Sequence, residues 1–267
     1  MKKIVYIWLL PIVVLLTGCE VESSDGGHPR TLQGRVAYEA VESSLYQSVS
    51  LLDLMCKIDH YAQAPAEDKA GIKNYYLVKY SISSTGNTWT LKDEYQEVVF
   101  THNGKSLNES GAVWTAKVRA TSWEREEVVI IEDKDFRVES YGDKDWKLIT
   151  SNLPNYDYVN TYYFYGFTGN MSHAAISIKG TMAHDKSPNL YDFSLEAGAG
   201  DLNYWPTQIH YDIVQAITYT YSSSYYAALT PITGKLAITA DKDEIGVVIK
   251  ASTFDITFNG LTESYSK

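Results

Sequence analysis

The sequence predicts a mainly β protein: an antiparallel meander, as a curved sandwich or barrel-like sheet, with one amphipathic α-helix at its N-terminal end. Three observations predict this fold. Apolar residues recur every three or four positions over 36–62. Short runs rich in β-branched and aromatic residues follow almost to the C-terminus, separated by Gly, Asn, Asp and Pro. No helical segment separates those runs, and because parallel strands need such crossovers, the strands are expected to be antiparallel.

The N-terminal helix is predicted over 36–62. Its apolar positions, among them Val41, Leu45 and Leu52, fall at steps of three or four, and Pro65 ends the pattern. A second short helical turn is expected over 66–72. Since the apolar residues form one stripe, the helix is expected to pack on the apolar face of the sheet.

The strand pattern begins after residue 74, and Asn103-Gly104 is its strongest short hairpin signal. Asp-Lys-Asp occurs at 133–135, 143–145 and 241–243; these triplets are predicted to be hairpin tips, because a calcium loop needs more oxygen donors. The predicted strands are 75–82, 89–91, 95–101, 113–121, 127–132, 136–141, 146–150, 158–167, 174–182, 191–197, 209–221, 235–240, 245–251 and 253–258.

The first nineteen residues have the pattern of an export signal. A cationic start, a short apolar run and small residues before Cys19 are typical of a secretory leader, and the run is shorter than the roughly 20 residues of a membrane span. Leu16-Thr17-Gly18-Cys19 resembles the lipobox of bacterial lipoproteins, which implies cleavage before Cys19 and lipidation of that residue. The expected organisation is therefore a signal peptide over 1–18, the lipidated Cys19 with a flexible tether over 19–35, and a single mainly-β domain over 36–267.

The residues after Cys19 bear on localisation. In lipoproteins of many Gram-negative bacteria an Asp at the next position retains the protein in the inner membrane, whereas here Glu20 follows. The resemblance therefore implies a lipid-anchored protein of the outer membrane, facing the periplasm or the cell surface. Glu20-Val21-Glu22 also resembles the acidic segment of surface-exported lipoproteins of the Bacteroidota; a plain acidic linker is the alternative interpretation.

Charge and cysteine content exclude several roles. The net charge of −10 becomes −12 once Lys2 and Lys3 leave with the signal, so nucleic acid is not an expected partner and membrane contact is expected through the acyl chains alone. With Cys19 lipidated, no intrachain disulfide is possible. The apolar neighbours of Cys56 predict a small buried hydrophobe, not a catalytic thiol activated by His60.

No catalytic motif stands out in the chain. The sequence contains no His-Glu-x-x-His, no Gly-x-Ser-x-Gly and no Gly-rich phosphate loop. Whether a pair of acidic residues such as Glu124 and Glu126 comes together as in a glycosidase depends on a spatial separation that sequence does not supply. No catalytic residue, metal ligand or cofactor is therefore assigned.

Tyrosine is unusually abundant, with 22 Tyr against 7 Phe. Flat rings stack on sugar faces while neighbouring Asp, Asn and Gln bond the hydroxyls, so the aromatic clusters are candidates for a glycan surface; the alternative is that these rings pack the sheet. The candidate ligand-binding residues are Tyr162, Tyr163, Tyr165, Tyr204, Trp205, Tyr225 and Tyr226.

Three function classes remain. The favoured one is a membrane-anchored extracytoplasmic lipoprotein that binds a glycan or a protein without catalysis. The second is a structural subunit of the adhesin or fimbrial type, for which the long strand over 209–221 would serve if it lay at a sheet edge. The third is an anchored hydrolase, which no motif supports.

Overall fold

A computed structural model describes residues 28–94, 96–120, 135–151, 172–182, 191–204, 207–221 and 229–267. In this part of the chain two helices come first, α1 (His28–Gln63) and α2 (Ala66–Tyr76). The strands that follow are β1 (Ser81–Thr85), β2 (Thr88–Lys92), β3 (Gln96–His102), β4 (Val113–Ala120), β5 (Asp135–Gly142), β6 (Asp145–Ser151), β7 (Ser172–Met182), β8 (Tyr191–Tyr204), β9 (Thr207–Tyr221), β10 (Leu229–Ala240), β11 (Asp243–Ile249), β12 (Thr253–Phe258) and β13 (Leu261–Ser266).

The strands form one antiparallel sheet in which each strand pairs with the next along the chain, from β1 to β13. The two ends do not pair with each other among the described residues, so the sheet is open. The predicted mainly-β antiparallel meander with an N-terminal helix is thereby confirmed. Strand β9 lies between β8 and β10, so the segment 209–221 is interior to the sheet. It does not offer the edge on which the assembly-subunit hypothesis relied.

Alternation along the strands defines the buried face of the sheet. In the C-terminal strands, Leu236 of β10 pairs with Val247 of β11, which in turn pairs with Ile256 of β12. All three side chains are buried, while their immediate neighbours along each strand are more exposed. This period of two is the pattern of a strand with one apolar face.

Helix α1 packs on that face. It contacts β8, β10, β12 and β13, and the Tyr38 ring lies 4.6 Å from that of Phe254. Towards its other end, the Tyr61 ring meets the Trp89 ring of β2 edge-on at 6.0 Å. The helix therefore extends from the C-terminal strands to the N-terminal strands and closes the core over both.

The helix is longer than predicted. It begins at His28, so residues 28–35, expected as part of the tether, belong to α1. Close packing accounts for the extension at Gly34, where a Cβ atom would lie 2.9 Å from Cγ2 of Ile256. This N-terminal part of α1 is mostly polar in sequence, so its contact with β12 cannot be read from helical periodicity.

The strand predicted over 75–82 is wrong for residues 75–80. Tyr75 and Tyr76 form the last turn of α2, and β1 starts only at Ser81. The helix is held there by the buried side chains of Ile72 and Leu77, and the Leu77 amide donates to the Lys73 carbonyl at 3.1 Å. Strand β13, whose six residues are mostly exposed, was not predicted.

The predicted turns agree better with the structure than the predicted strand over 75–82 does. The triplets at 143–145 and 241–243 lie at the tips of the β5–β6 and β10–β11 hairpins, as predicted. Asp143 and Lys144 both have positive φ, 49° and 64°, the geometry of a two-residue hairpin turn. Strands β3 and β4 do form a hairpin, but the connection that Asn103-Gly104 begins runs to residue 112. The triplet at 133–135 and the predicted strands 127–132 and 158–167 lie wholly or mostly outside the described residues.

Candidate ligand-binding pocket

The aromatic residues singled out from the sequence fall almost entirely outside the described part of the chain. Tyr204 is the last residue of β8, opposite Thr207 in the register. Cys19, the expected lipidation site, also lies outside the described residues. The other candidates outside them are Tyr162, Tyr163, Tyr165, Trp205, Tyr225 and Tyr226.

A pocket that the sequence did not indicate opens beside α1. It has a volume of about 350 Å³ and is lined by residues of α1, of the end of α2 and the segment just after it, and of strands β3 and β4. This volume is within the range of small-molecule sites, about 300–1,000 Å³. Its aromatic lining residues are Tyr46, Tyr76 and Tyr80, and its polar and charged ones are Gln47, Ser50, Asp53, Lys57, Lys79 and Gln96.

An ion pair inside α1 forms one wall of the pocket. Lys57 Nζ lies 2.5 Å from Oδ2 of Asp53, one helical turn away, and also donates to the Tyr221 hydroxyl at 2.9 Å. Both charged side chains are largely buried, with 14% of Lys57 and 10% of Asp53 exposed. Oδ1 of Asp53 has no hydrogen-bond partner among the described residues. Asp53, one of the lining residues, therefore has a buried carboxylate oxygen with spare accepting capacity.

The pKa of Asp53 reflects this position. Burial raises the pKa above its ordinary value, because desolvation penalises the charged carboxylate. The Lys57 ammonium and the Tyr221 hydroxyl act in the opposite direction without cancelling the effect. Tyr221 is the last residue of β9, so a strand far along the chain completes the environment of this carboxylate.

Further lining residues come from the segment just after α2 and from the start of β3. Gln96 Nε2 donates to the Tyr80 hydroxyl at 2.9 Å, and Lys79 Nζ lies 3.4 Å from Oδ2 of Asp93 and 4.7 Å from the centre of the Tyr80 ring. Burial alone would lower the pKa of Lys79, but Tyr80 and Asp93 raise it above its ordinary value. Each lysine of the lining thus lies in an ion pair with a carboxylate, Lys57 with Asp53 and Lys79 with Asp93.

A second buried carboxylate, Asp59, lies six residues beyond Asp53 on α1. Its Oδ2 accepts hydrogen bonds from Ser106 Oγ at 2.7 Å and from the Leu107 amide at 3.0 Å, which fixes the long β3–β4 connection against α1. The adjoining cavity of about 50 Å³, lined in part by Cys56 and His60, is large enough for little more than a water molecule. Oδ1 of Asp59, like that of Asp53, is buried without a hydrogen-bond partner among the described residues, but the cavity beside it is too small for a sugar.

Cys56 is buried, with 4% of its surface exposed, as the sequence predicted. Desolvation raises the pKa of its thiol well above the ordinary value, and Asp53 and Asp59 add to that effect. A thiol that remains protonated is a poor nucleophile, so burial and the raised pKa both agree with the predicted place of Cys56 in the core. No group of three or more His, Cys, Asp or Glu side chains in the described residues is placed to hold a metal ion.

Two signals in the sequence bear on the pocket in retrospect. Asp53 and Lys57 are four residues apart on a predicted helix, which is the spacing of an ion pair. The strand predicted over 75–82 includes Tyr76 and Tyr80, however, so their place beside α1 cannot be read from the sequence. Comparison with known proteins gives no further information about the pocket, because no protein-family model, curated protein or solved structure matches this chain.

Proposed function

We propose that this chain is a lipid-anchored protein of the outer membrane that binds an extracytoplasmic glycan, without catalysis, in the pocket beside α1. The observation that carries the binding proposal is the buried carboxylate of Asp53, whose Oδ1 lacks a hydrogen-bond donor among the described residues. A buried acceptor of this kind gains stability when a donor reaches it. The hydroxyl groups of a sugar are such donors.

The rest of the pocket suits the same ligand. The rings of Tyr46, Tyr76 and Tyr80 offer apolar faces for the C–H surface of a pyranose, and each also has a hydroxyl at its tip. Gln47 and Ser50 add neutral donors and acceptors. Because the lysines are paired with Asp53 and Asp93, a neutral ligand fits better than an ionic one.

The arrangement favours binding over hydrolysis. Glycoside hydrolysis uses two carboxyl groups about 5–9 Å apart, and in the described lining Asp53 is the one carboxylate. Its ion pair with Lys57 at 2.5 Å fixes its orientation as an acceptor.

In the described residues, no helix is long and apolar enough to cross a membrane. The lipobox remains the basis of the proposed membrane attachment.

Blocking the pocket tests the binding proposal. The full-length chain, purified in a non-glycosidic detergent, is screened on an array of neutral glycans built from glucose, galactose, mannose and N-acetylglucosamine. Ser50→Tyr places a bulky ring in the pocket and is expected to weaken binding at least tenfold, or about 1.4 kcal/mol. Ser43→Tyr is the matched control, because Ser43 is exposed on α1 two turns away. The control is expected to bind like the wild type; equal binding by both variants, or no glycan binding at all, overturns the proposal.

Lipidation is tested at Cys19. In the native host, Cys19→Ser is expected to abolish incorporation of a labelled fatty acid and to leave residues 1–18 attached, as measured by intact mass. Cys56→Ser is the control: this thiol is buried in the core, so labelling and cleavage should be unchanged. A Cys19→Ser chain that is cleaved and labelled like the wild type contradicts the anchor.

A further inference from the structure

An exposed aromatic side chain continues the pocket lining onto the surface. Tyr75, in the last turn of α2, has 82% of its surface exposed, the largest fraction among the big apolar side chains of the described residues. Its ring centre lies 6.3 Å from that of Tyr76, with the two planes at 47°. Since Tyr76 lines the pocket, the aromatic surface extends from the pocket past its mouth.

The surroundings of Tyr75 match the pocket chemistry. Val78, 72% exposed, adds apolar surface two residues beyond the end of α2, and the Lys79 side chain, 62% exposed, reaches over the Tyr80 ring. Large apolar side chains that are exposed together next to a pocket mark a binding surface more often than scattered ones do. The exposed pair therefore reads as an outer part of the same site.

We propose that the site takes an oligosaccharide of at least two neutral sugar units: one unit enters the pocket beside Asp53, and the next stacks on the ring of Tyr75. This inference rests on the proposed glycan binding and specifies its ligand. Each unit of an oligosaccharide presents the same features, an apolar ring face surrounded by hydroxyl groups, and successive units follow one another directly. The site repeats the matching elements, a recessed set of tyrosines with hydrogen-bonding side chains and then an outer ring. A single sugar has no atoms to place on Tyr75.

The test compares chain lengths. Binding of the mono-, di- and tetrasaccharides of the four sugars named above to the full-length chain is measured by calorimetry in a non-glycosidic detergent. The wild type is expected to bind an oligosaccharide about tenfold more tightly than the corresponding monosaccharide, the size of one aromatic stacking contact. Tyr75→Ala is expected to remove that tenfold gain and to leave monosaccharide affinity within about twofold.

Two variants serve as controls. Tyr75→Phe keeps the ring and should retain the gain, whereas Tyr141→Ala removes another exposed tyrosine, 59% exposed on β5, and should change nothing. Equal affinity for mono- and oligosaccharides, or an equal loss for both in Tyr75→Ala, overturns the outer subsite while the pocket stands. No binding of any sugar, or binding that Ser50→Tyr leaves intact, overturns the proposed function itself.

Discussion

Replacing Trp146 with alanine is expected to lower the free energy of unfolding by about 3–5 kcal/mol, the usual cost of removing a large aromatic side chain from a core. Trp146 of β6 is 2% exposed, and its Nε1 donates to the Leu107 carbonyl at 3.1 Å. The same carbonyl accepts from Ser140 Oγ at 2.7 Å. The truncation therefore opens a cavity and weakens the anchor of the β3–β4 connection. Urea unfolding of the wild type and the variant measures the loss.

The strand beside Trp146 provides a second variant that tests the same contact. A Cβ atom on Gly180 of β7 would lie 2.1 Å from Cζ3 and 2.3 Å from Cη2 of the Trp146 ring. Gly180→Ala is expected to cost about 1–3 kcal/mol through overpacking, and to lose that penalty when combined with Trp146→Ala. Gly246→Ala is the control, since its Cβ would meet Thr257 at an ordinary 3.7 Å. Additive costs in the double variant would contradict the proposed contact.

The strands of the sheet were largely predictable because the sequence patterns that indicate them are local. Buried Leu236 and Ile238 alternate with exposed residues, and Ile245 and Val247 continue this alternation after the Asp241 turn. The pattern predicts both the buried face and the reversal of the chain. Where one face of a strand has little to bury, this information disappears. Strand β13 is an edge strand with mostly exposed residues, so pairing with β12 rather than its own pattern determines it.

The pocket was not predictable, for two physical reasons. The Lys57–Tyr221 contact joins residues 164 positions apart, and only the folded sheet brings the end of β9 to the C-terminal part of α1. The run Tyr75 to Ile82 has the composition of a strand, but burial of Ile72 and Leu77 keeps its first part helical. Tertiary packing thus outweighed local propensity at the place where the pocket wall forms. The helical ion pair Asp53–Lys57 was visible in sequence, but its burial was not.

Lys57→Met is expected to cost about 3–5 kcal/mol at neutral pH, because it leaves the Asp53 carboxylate buried without its cation. Methionine fills much of the volume of the lysine stem, so the loss reports the charge more than the packing. The Asp53→Leu/Lys57→Met double variant removes both charges and is expected to be markedly more stable than Lys57→Met alone. Urea unfolding of the three proteins measures these differences. A double variant as unstable as the single one would show that the stem of Lys57 matters and its charge does not.

The pH dependence of this loss identifies the group responsible. Because burial raises the folded-state pKa of Asp53, the folded chain holds that proton more tightly than the unfolded chain does. The resulting stabilisation is fully present below the unfolded pKa of about 3.9 and is lost as the pH rises through the folded value. Lys57 lowers the folded pKa, so its removal raises that pKa further and increases the loss on the alkaline side. The difference in unfolding free energy between Lys57→Met and the wild type should therefore be smaller at about pH 4.5 than at about pH 8. Since other titrating groups are common to both proteins, a difference that stays constant across this range would contradict a buried, unpaired Asp53.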